Sequence, residues 1–149
     1  MPEKHVFGPI SHSATAALAR ADLEFYRINH YRPSFTALIF FNDPDVNENN
    51  AARDRASYAG SFSIFGHQRC VGSEGHCEVH VAARRFDDRP SHPLTRAFKR
   101  VIVTDALQRA TAGGDQLTIT VIAVEDPNAD LEYEGPLLDL EGMQLTTFV

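Results

Sequence analysis

Residues 34–41, Ser-Phe-Thr-Ala-Leu-Ile-Phe-Phe, carry no charge, and Asn42-Asp43-Pro44-Asp45 halts them with strong turn chemistry. A strand with one wet face alternates apolar and polar side chains. This run is too apolar for that, so it predicts a strand in the middle of a sheet, covered on both faces. Pro33 separates it from an earlier β-like run, Leu23-Glu24-Phe25-Tyr26-Arg27-Ile28, which alternates loosely from Asp22 onward.

The same short-strand grammar recurs downstream. Tyr58-Ala59-Gly60-Ser61-Phe62-Ser63-Ile64-Phe65 alternates strictly, with Phe62 and Ile64 on one face and Ser61 and Ser63 on the other. A Gly-rich bend over 66–75 then leads into Cys77-Glu78-Val79-His80-Val81-Ala82, so the two runs predict a hairpin with an elaborate tip. Residues 98–103 and 116–124 supply two further strands, the latter placing Leu117, Ile119, Val121 and Ala123 opposite Thr118, Thr120, Ile122 and Val124. A last strand is predicted over 143–148. Between these lie a short helix over 106–112, capped by Thr104-Asp105 and ended by Gly113-Gly114, and a long Asn-rich loop over 46–57 expected to be exposed. At least six short strands with turn signals between them predict an all-β fold: an antiparallel β-sandwich, jelly-roll-like, with one or two short helices.

Residues 1–21 read as an N-terminal lead-in, with a short Ser-capped helix drawn from 11–20, and residues 22–149 as a single β-sandwich domain. A chain of 149 residues with 43% hydrophobic content fills one continuous core. Net charge is -6, which disfavours nucleic acid as a partner. The longest apolar runs fall far short of the roughly 20 residues that span a bilayer, so no membrane association is expected. The N-terminus lacks a basic segment followed by an apolar stretch, and a cytoplasmic location is the default expectation.

One segment concentrates chemistry. Between His67 and His80 the chain carries three imidazoles, His67, His76 and His80, and both of its cysteines, Cys70 and Cys77. Imidazole and thiolate suit copper or zinc, and a Gly-rich loop can bring such groups together. The spacing matches no established metal motif, and adjacent His76 and Cys77 on a strand would point to opposite faces. The plainer reading pairs Cys70 with Cys77 in a local disulfide, or leaves both as reduced apolar thiols. The acidic stretch 125–134 lacks the Gly and terminal Glu of a calcium loop and reads as solvated; Arg84-Arg85, Arg89 and Arg96-Lys99-Arg100 read as ordinary charged surface.

Four blocks in order, residues 35–44, Tyr58-Ala59-Gly60-Ser61-Phe62 with Phe65-Gly66-His67, residues 98–107 and residues 117–124, resemble the C-terminal domain of the tyrosinase, polyphenol oxidase and molluscan haemocyanin family. The resemblance covers about residues 22–125. It implies a β-sandwich that packs over a separate helical catalytic domain and shields paired copper ions held there by six histidines. That family also carries a Gly-His or Pro-His step after the Ala-Gly-Ser-Phe strand, for which a structural role of His67 is the safer reading. With seven histidines in total and none in a helical His-x-x-x-His, this chain does not encode the dicopper site; His76 and His80 have the spacing but sit in a predicted strand.

The leading expectation is therefore a non-catalytic accessory or capping domain that docks onto a tyrosinase-like copper oxidase, with copies of the chain itself as a further candidate partner. A second makes the chain a copper-binding or copper-delivery protein using His67, Cys70, His76, Cys77 and His80. A third is a small-ligand-binding sandwich or mononuclear metal enzyme, for which no acid and base pair stands out.

Overall fold

The computed structural model describes residues 3–12, 18–68, 85–86, 95–129 and 133–149. Among the described residues there are seven strands, β1 (Glu3–Ser11), β2 (Arg20–Ile28), β3 (Phe35–Phe41), β4 (Tyr58–Ile64), β5 (Ala97–Ile102), β6 (Gln116–Glu125) and β7 (Gly142–Phe148), and one helix, α1 (Thr104–Thr111). They form two antiparallel sheets, one in the order β1-β6-β3-β4 and one in the order β5-β2-β7. The all-β sandwich expected from the sequence is the observed fold.

The core follows from side-chain alternation. On β2, Ala21, Leu23 and Phe25 point inward with no exposed surface; on β6, Leu117, Ile119, Val121 and Ala123 do the same. The Phe25 and Phe62 rings meet at 4.7 Å and join the two sheets across the core. Leu107 and Ala106 of α1 belong to the same core, so the helix closes one end of the sandwich.

β3 lies between β6 and β4, as its unbroken apolar run demands. Its inner face gives Phe35, Ala37, Ile39 and Phe41 to the main core, while Phe40 packs on the opposite face with Val46 and Ile122. The 46–57 loop is what covers that outer face, and the expectation of a wholly exposed loop is corrected. Val46 is fully buried because Ile122 and Phe40 leave an apolar surface that something must cover. Asp43 stitches the loop together: it accepts from Arg55 Nη2 at 2.8 Å, from the Val46 N–H at 3.1 Å and from the Ser57 hydroxyl.

Two further expectations change. The N-terminal segment is not a lead-in: β1 pairs with β6 from Glu3 opposite Ala123 to Ser11 opposite Gln116, and the second sheet already begins at Arg20. Ser11 therefore ends a strand rather than capping a helix. At α1 the N-cap is Val103 with no side-chain cap, because the Thr104 hydroxyl accepts instead from the Ala21 N–H at 3.0 Å. The strand expected over 77–82, and with it the tip of its hairpin, lies outside the described residues; β4 pairs with β3.

Candidate functional site

β4 ends at Ile64, and the chain then bends through Phe65, Gly66 and His67 against the loop between β2 and β3. Gly66 is required there. Its N–H donates to Ser34 Oγ at 3.0 Å, and a Cβ at this position would stand 1.9 Å from the Arg32 carbonyl oxygen. The next N–H, of His67, donates to the His30 carbonyl at 2.7 Å.

That lacing sets two imidazoles face to edge, with the His30 and His67 rings 4.9 Å apart at 80°. Phe65 packs on His67 at 5.3 Å and Tyr31 on His30 at 5.5 Å. His30 is 8% exposed, whereas Phe65 is 78% exposed, so the cluster has a buried imidazole floor and a projecting aromatic rim.

The loop that carries His30 is held firmly. Asn29 donates through its side chain to Asp139 Oδ2 at 3.1 Å and through its N–H to the Asp139 carbonyl at 2.8 Å. Arg32 donates to the same carboxylate at 2.6 Å, to the Tyr133 hydroxyl and to the Pro136 carbonyl. The Asn29 amide, and then Arg32, hold the Asp139 carboxyl below the ordinary carboxylate range, even though burial works the other way.

Of the five residues singled out as metal ligands, His67 stands in this bend, and Cys70, His76, Cys77 and His80 lie outside the described residues. Among the described residues no group of three or more His, Cys, Asp or Glu side chains is assembled for a metal ion. His30 is the functional candidate that sequence reasoning missed. Its only signal was proximity to Pro33, which marks a loop.

A second polar feature was also missed. On the outer face of β2, Asp22 and Glu24 are 2% and 7% exposed. Arg20 donates to Asp22 at 2.7 Å, and Glu24 accepts from Tyr26 at 2.6 Å and from Arg100 at 2.7 and 2.9 Å. The Tyr26 hydroxyl and Arg100 lower the Glu24 carboxyl against its desolvation, and the same hydrogen bond raises the Tyr26 phenol. Arg100, read from sequence as plain surface charge, is thus the lid of a carboxylate ladder. The ladder is fully paired and reads as structural.

The acidic stretch behaves as expected at its start, where Asp126 accepts from the Asn128 N–H at 2.9 Å in a local turn. A cleft of about 490 Å³ opens between β1 and residues 136–143, lined by His5, Phe7, Leu138, Leu140 and Met143 among others. Its size is that of a small-ligand pocket. Among the described residues no helix is long and apolar enough to cross a membrane.

No family model matches the chain, and no curated protein matches it either. It is similar to two solved structures of a polyphenol oxidase. One is recombinantly expressed latent aurone synthase co-crystallised with hexatungstotellurate(VI), at 15% identity and a TM-score of 0.49, covering 99% of this chain and 24% of that one. The other is latent aurone synthase from its natural source, at 16% identity and a TM-score of 0.48, covering 98% of this chain and 24% of that one. The chain spans about a quarter of the length of these polyphenol oxidase chains.

Proposed function

We propose that the chain is an accessory domain that caps the catalytic domain of a tyrosinase-like dicopper oxidase and contributes no copper ligands to the reaction itself. The observation that carries the reading is the disposition of the four blocks that resemble the family. They coincide with β3 and its turn, β4 with its Gly66-His67 bend, the β5 to α1 unit, and β6. Three of those strands are neighbours in one sheet, so the resemblance falls on a contiguous structural frame.

The frame supports a capping role in a specific way. The bend that follows β4 holds Phe65 out at 78% exposure on a backbone fixed by Ser34 and His30. A large apolar side chain on a fixed backbone is suited to fill a pocket entrance on a partner, since little backbone freedom remains to be lost on docking.

The test is association with, and inhibition of, a catalytic domain of a tyrosinase-like oxidase. The expected result is a stable complex burying above about 1,000 Å², slower phenol oxidation in the complex, and weaker inhibition by the Phe65→Ala variant. A chain that stays monodisperse beside such domains, or that oxidises phenols with no other protein present, overturns the reading.

A further inference from the structure

The edge of a sheet presents unpaired backbone N–H and C=O groups, and folded proteins blunt such edges with charges, proline or bulges. The described strands leave four edges, those of β1, β4, β5 and β7. β1 is interrupted at Pro9, with a register shift after Phe7. β4 is bulged at Ala59 and carries Gly60 at a φ of 148°. β5 sets Lys99 opposite the core residue Phe25, with Arg100 beside it. β7 has none of these devices. Gly142–Phe148 holds no charge and no proline, and its register runs unbroken from Gly142 opposite Tyr26 to Phe148 opposite Arg20.

The alternation on β2 shows which backbone groups of β7 are free. The Val103 N–H donates to the Ala21 carbonyl at 2.8 Å and the Ala21 N–H donates to Thr104 Oγ1 at 3.0 Å, so Ala21 turns its backbone groups toward the β5 side. Asp22 and Glu24 therefore turn theirs toward Thr146 and Gln144 of β7. The N–H and C=O groups of Met143, Leu145 and Thr147 are left pointing outward, and among the described elements β7 touches β2 alone.

We infer that β7 is a docking edge for a second copy of this chain, the two strands pairing antiparallel about a two-fold axis at Leu145. Charge selects the occupant. In a chain of net charge -6, an uncharged edge lets two copies meet without setting like charges against each other. The side chains are self-complementary as well, which a two-fold contact requires. Gly142 leaves a notch beside Tyr26: a Cβ there would meet nothing within 4 Å, while the Tyr26 ring packs on Phe98 at 5.2 Å on its other side. Pairing centred on Leu145 sets Phe148 of the second copy directly opposite Gly142, and Thr146 opposite Gln144. Phe148, 47% exposed in the single chain, thus extends the row of Phe98 and Tyr26 and covers the glycine. The edge belongs to the smaller sheet and Phe65 follows β4 of the larger one, so this contact does not rest on the capping role.

The experiment follows the purified full chain by sedimentation velocity from micromolar to millimolar concentration, with residue-resolved amide exchange by NMR at both ends of the range. The expected result is a concentration-dependent dimer. The Met143, Leu145 and Thr147 amides exchange more slowly at high concentration, whereas Gln144 and Thr146, already bonded to β2, are protected throughout. Thr147→Pro removes an outward N–H without touching the β2 ladder and is expected to weaken association by roughly tenfold or more. Circular dichroism checks its fold; should the fold fail, Phe148→Ala, which trims an exposed ring, is expected to weaken the dimer in its place. The inference is overturned by a monomer at every concentration, by unchanged association in both folded variants, or by new protection confined to β1, β4 or β5. Protection of β7 amides that arises only on adding the catalytic domain of a tyrosinase-like oxidase overturns it too, because the edge then serves a different partner.

Discussion

Arg100 reaches across from β5 and donates two hydrogen bonds that converge on Oε1 of Glu24 in β2, at 2.9 Å from Nε and 2.7 Å from Nη2. The guanidinium fork brings two donors to one carboxylate oxygen. Beneath it, Tyr26 and Thr146 donate to the other carboxylate oxygen at 2.6 and 3.2 Å, so Glu24 ties all three strands of the smaller sheet together.

Because Tyr26 and Arg100 lower the Glu24 carboxyl from its ordinary 4.5, the ionised form is favoured in the folded state. The stability this contributes is complete above pH of about 4.5 and is lost as the pH falls through the lower folded value. Glu24→Gln should therefore unfold at a lower temperature than the wild type at pH 7, with the difference shrinking steadily below pH 4.5. Thermal melts across pH 2.5–7 check this; a gap that widens on acidification would contradict it.

Gly66→Ala forces a methyl group into the backbone of residues 32–34, where no flexible side chain can yield. The bend must shift, at a cost of roughly 2–4 kcal/mol. Chemical denaturation measures the loss. The contact between the His30 and His67 rings should weaken with it, visible as changed histidine resonances at a temperature where the variant is still folded.

Leu107 is fully buried in the main core and is the chief anchor of α1. Leu107→Ala is expected to destabilise by about 2–5 kcal/mol, the range for a buried leucine truncated in a tight interior. Equilibrium unfolding in urea gives the value, and a change below 1 kcal/mol would mean that the helix is not part of the cooperative unit.

Asn42 has a positive φ of 50° at the end of β3. Its side chain donates to the Ala110 and Gln116 carbonyls, both at 3.0 Å, and accepts from the Thr118 N–H at 2.7 Å. Asn42→Ala loses these bonds and adds left-handed strain, about 2–3 kcal/mol together. Asn42→Gly keeps the backbone comfortable and loses only the bonds, so it should be the milder variant. Equal losses would show that the backbone term is negligible.

Much of the sandwich was legible because β3, β4 and β6 carry their placement in their own side-chain periodicity: Phe62 and Ile64 alternate with serines, and residues 117–124 offer two apolar faces. β1 was illegible for the opposite reason. Glu3–Ser11 has exposed Val6 and an interior Gly8-Pro9 step, and what makes it a strand is the free backbone edge of β6 rather than its own pattern. The outer-face ladder failed similarly, since Glu24 and Arg100 are 76 positions apart and neither looks unusual alone. His67 was found through the density of histidine and cysteine around it; its partner His30 sits on another loop, and only the folded chain brings the two together.

The pairing of β1 with β6 fixes where the chain can be trimmed. β6 is ten residues long and nearly uncharged, and among the described residues β1 is the strand that covers its outer hydrogen-bonding groups. A version beginning at Asp22 would display that strand as an open template, ready to zip onto a neighbouring copy. Shortening from the front should therefore yield fibrous or precipitating material instead of a smaller working unit, and expression plasmids for this domain need to start no later than Glu3.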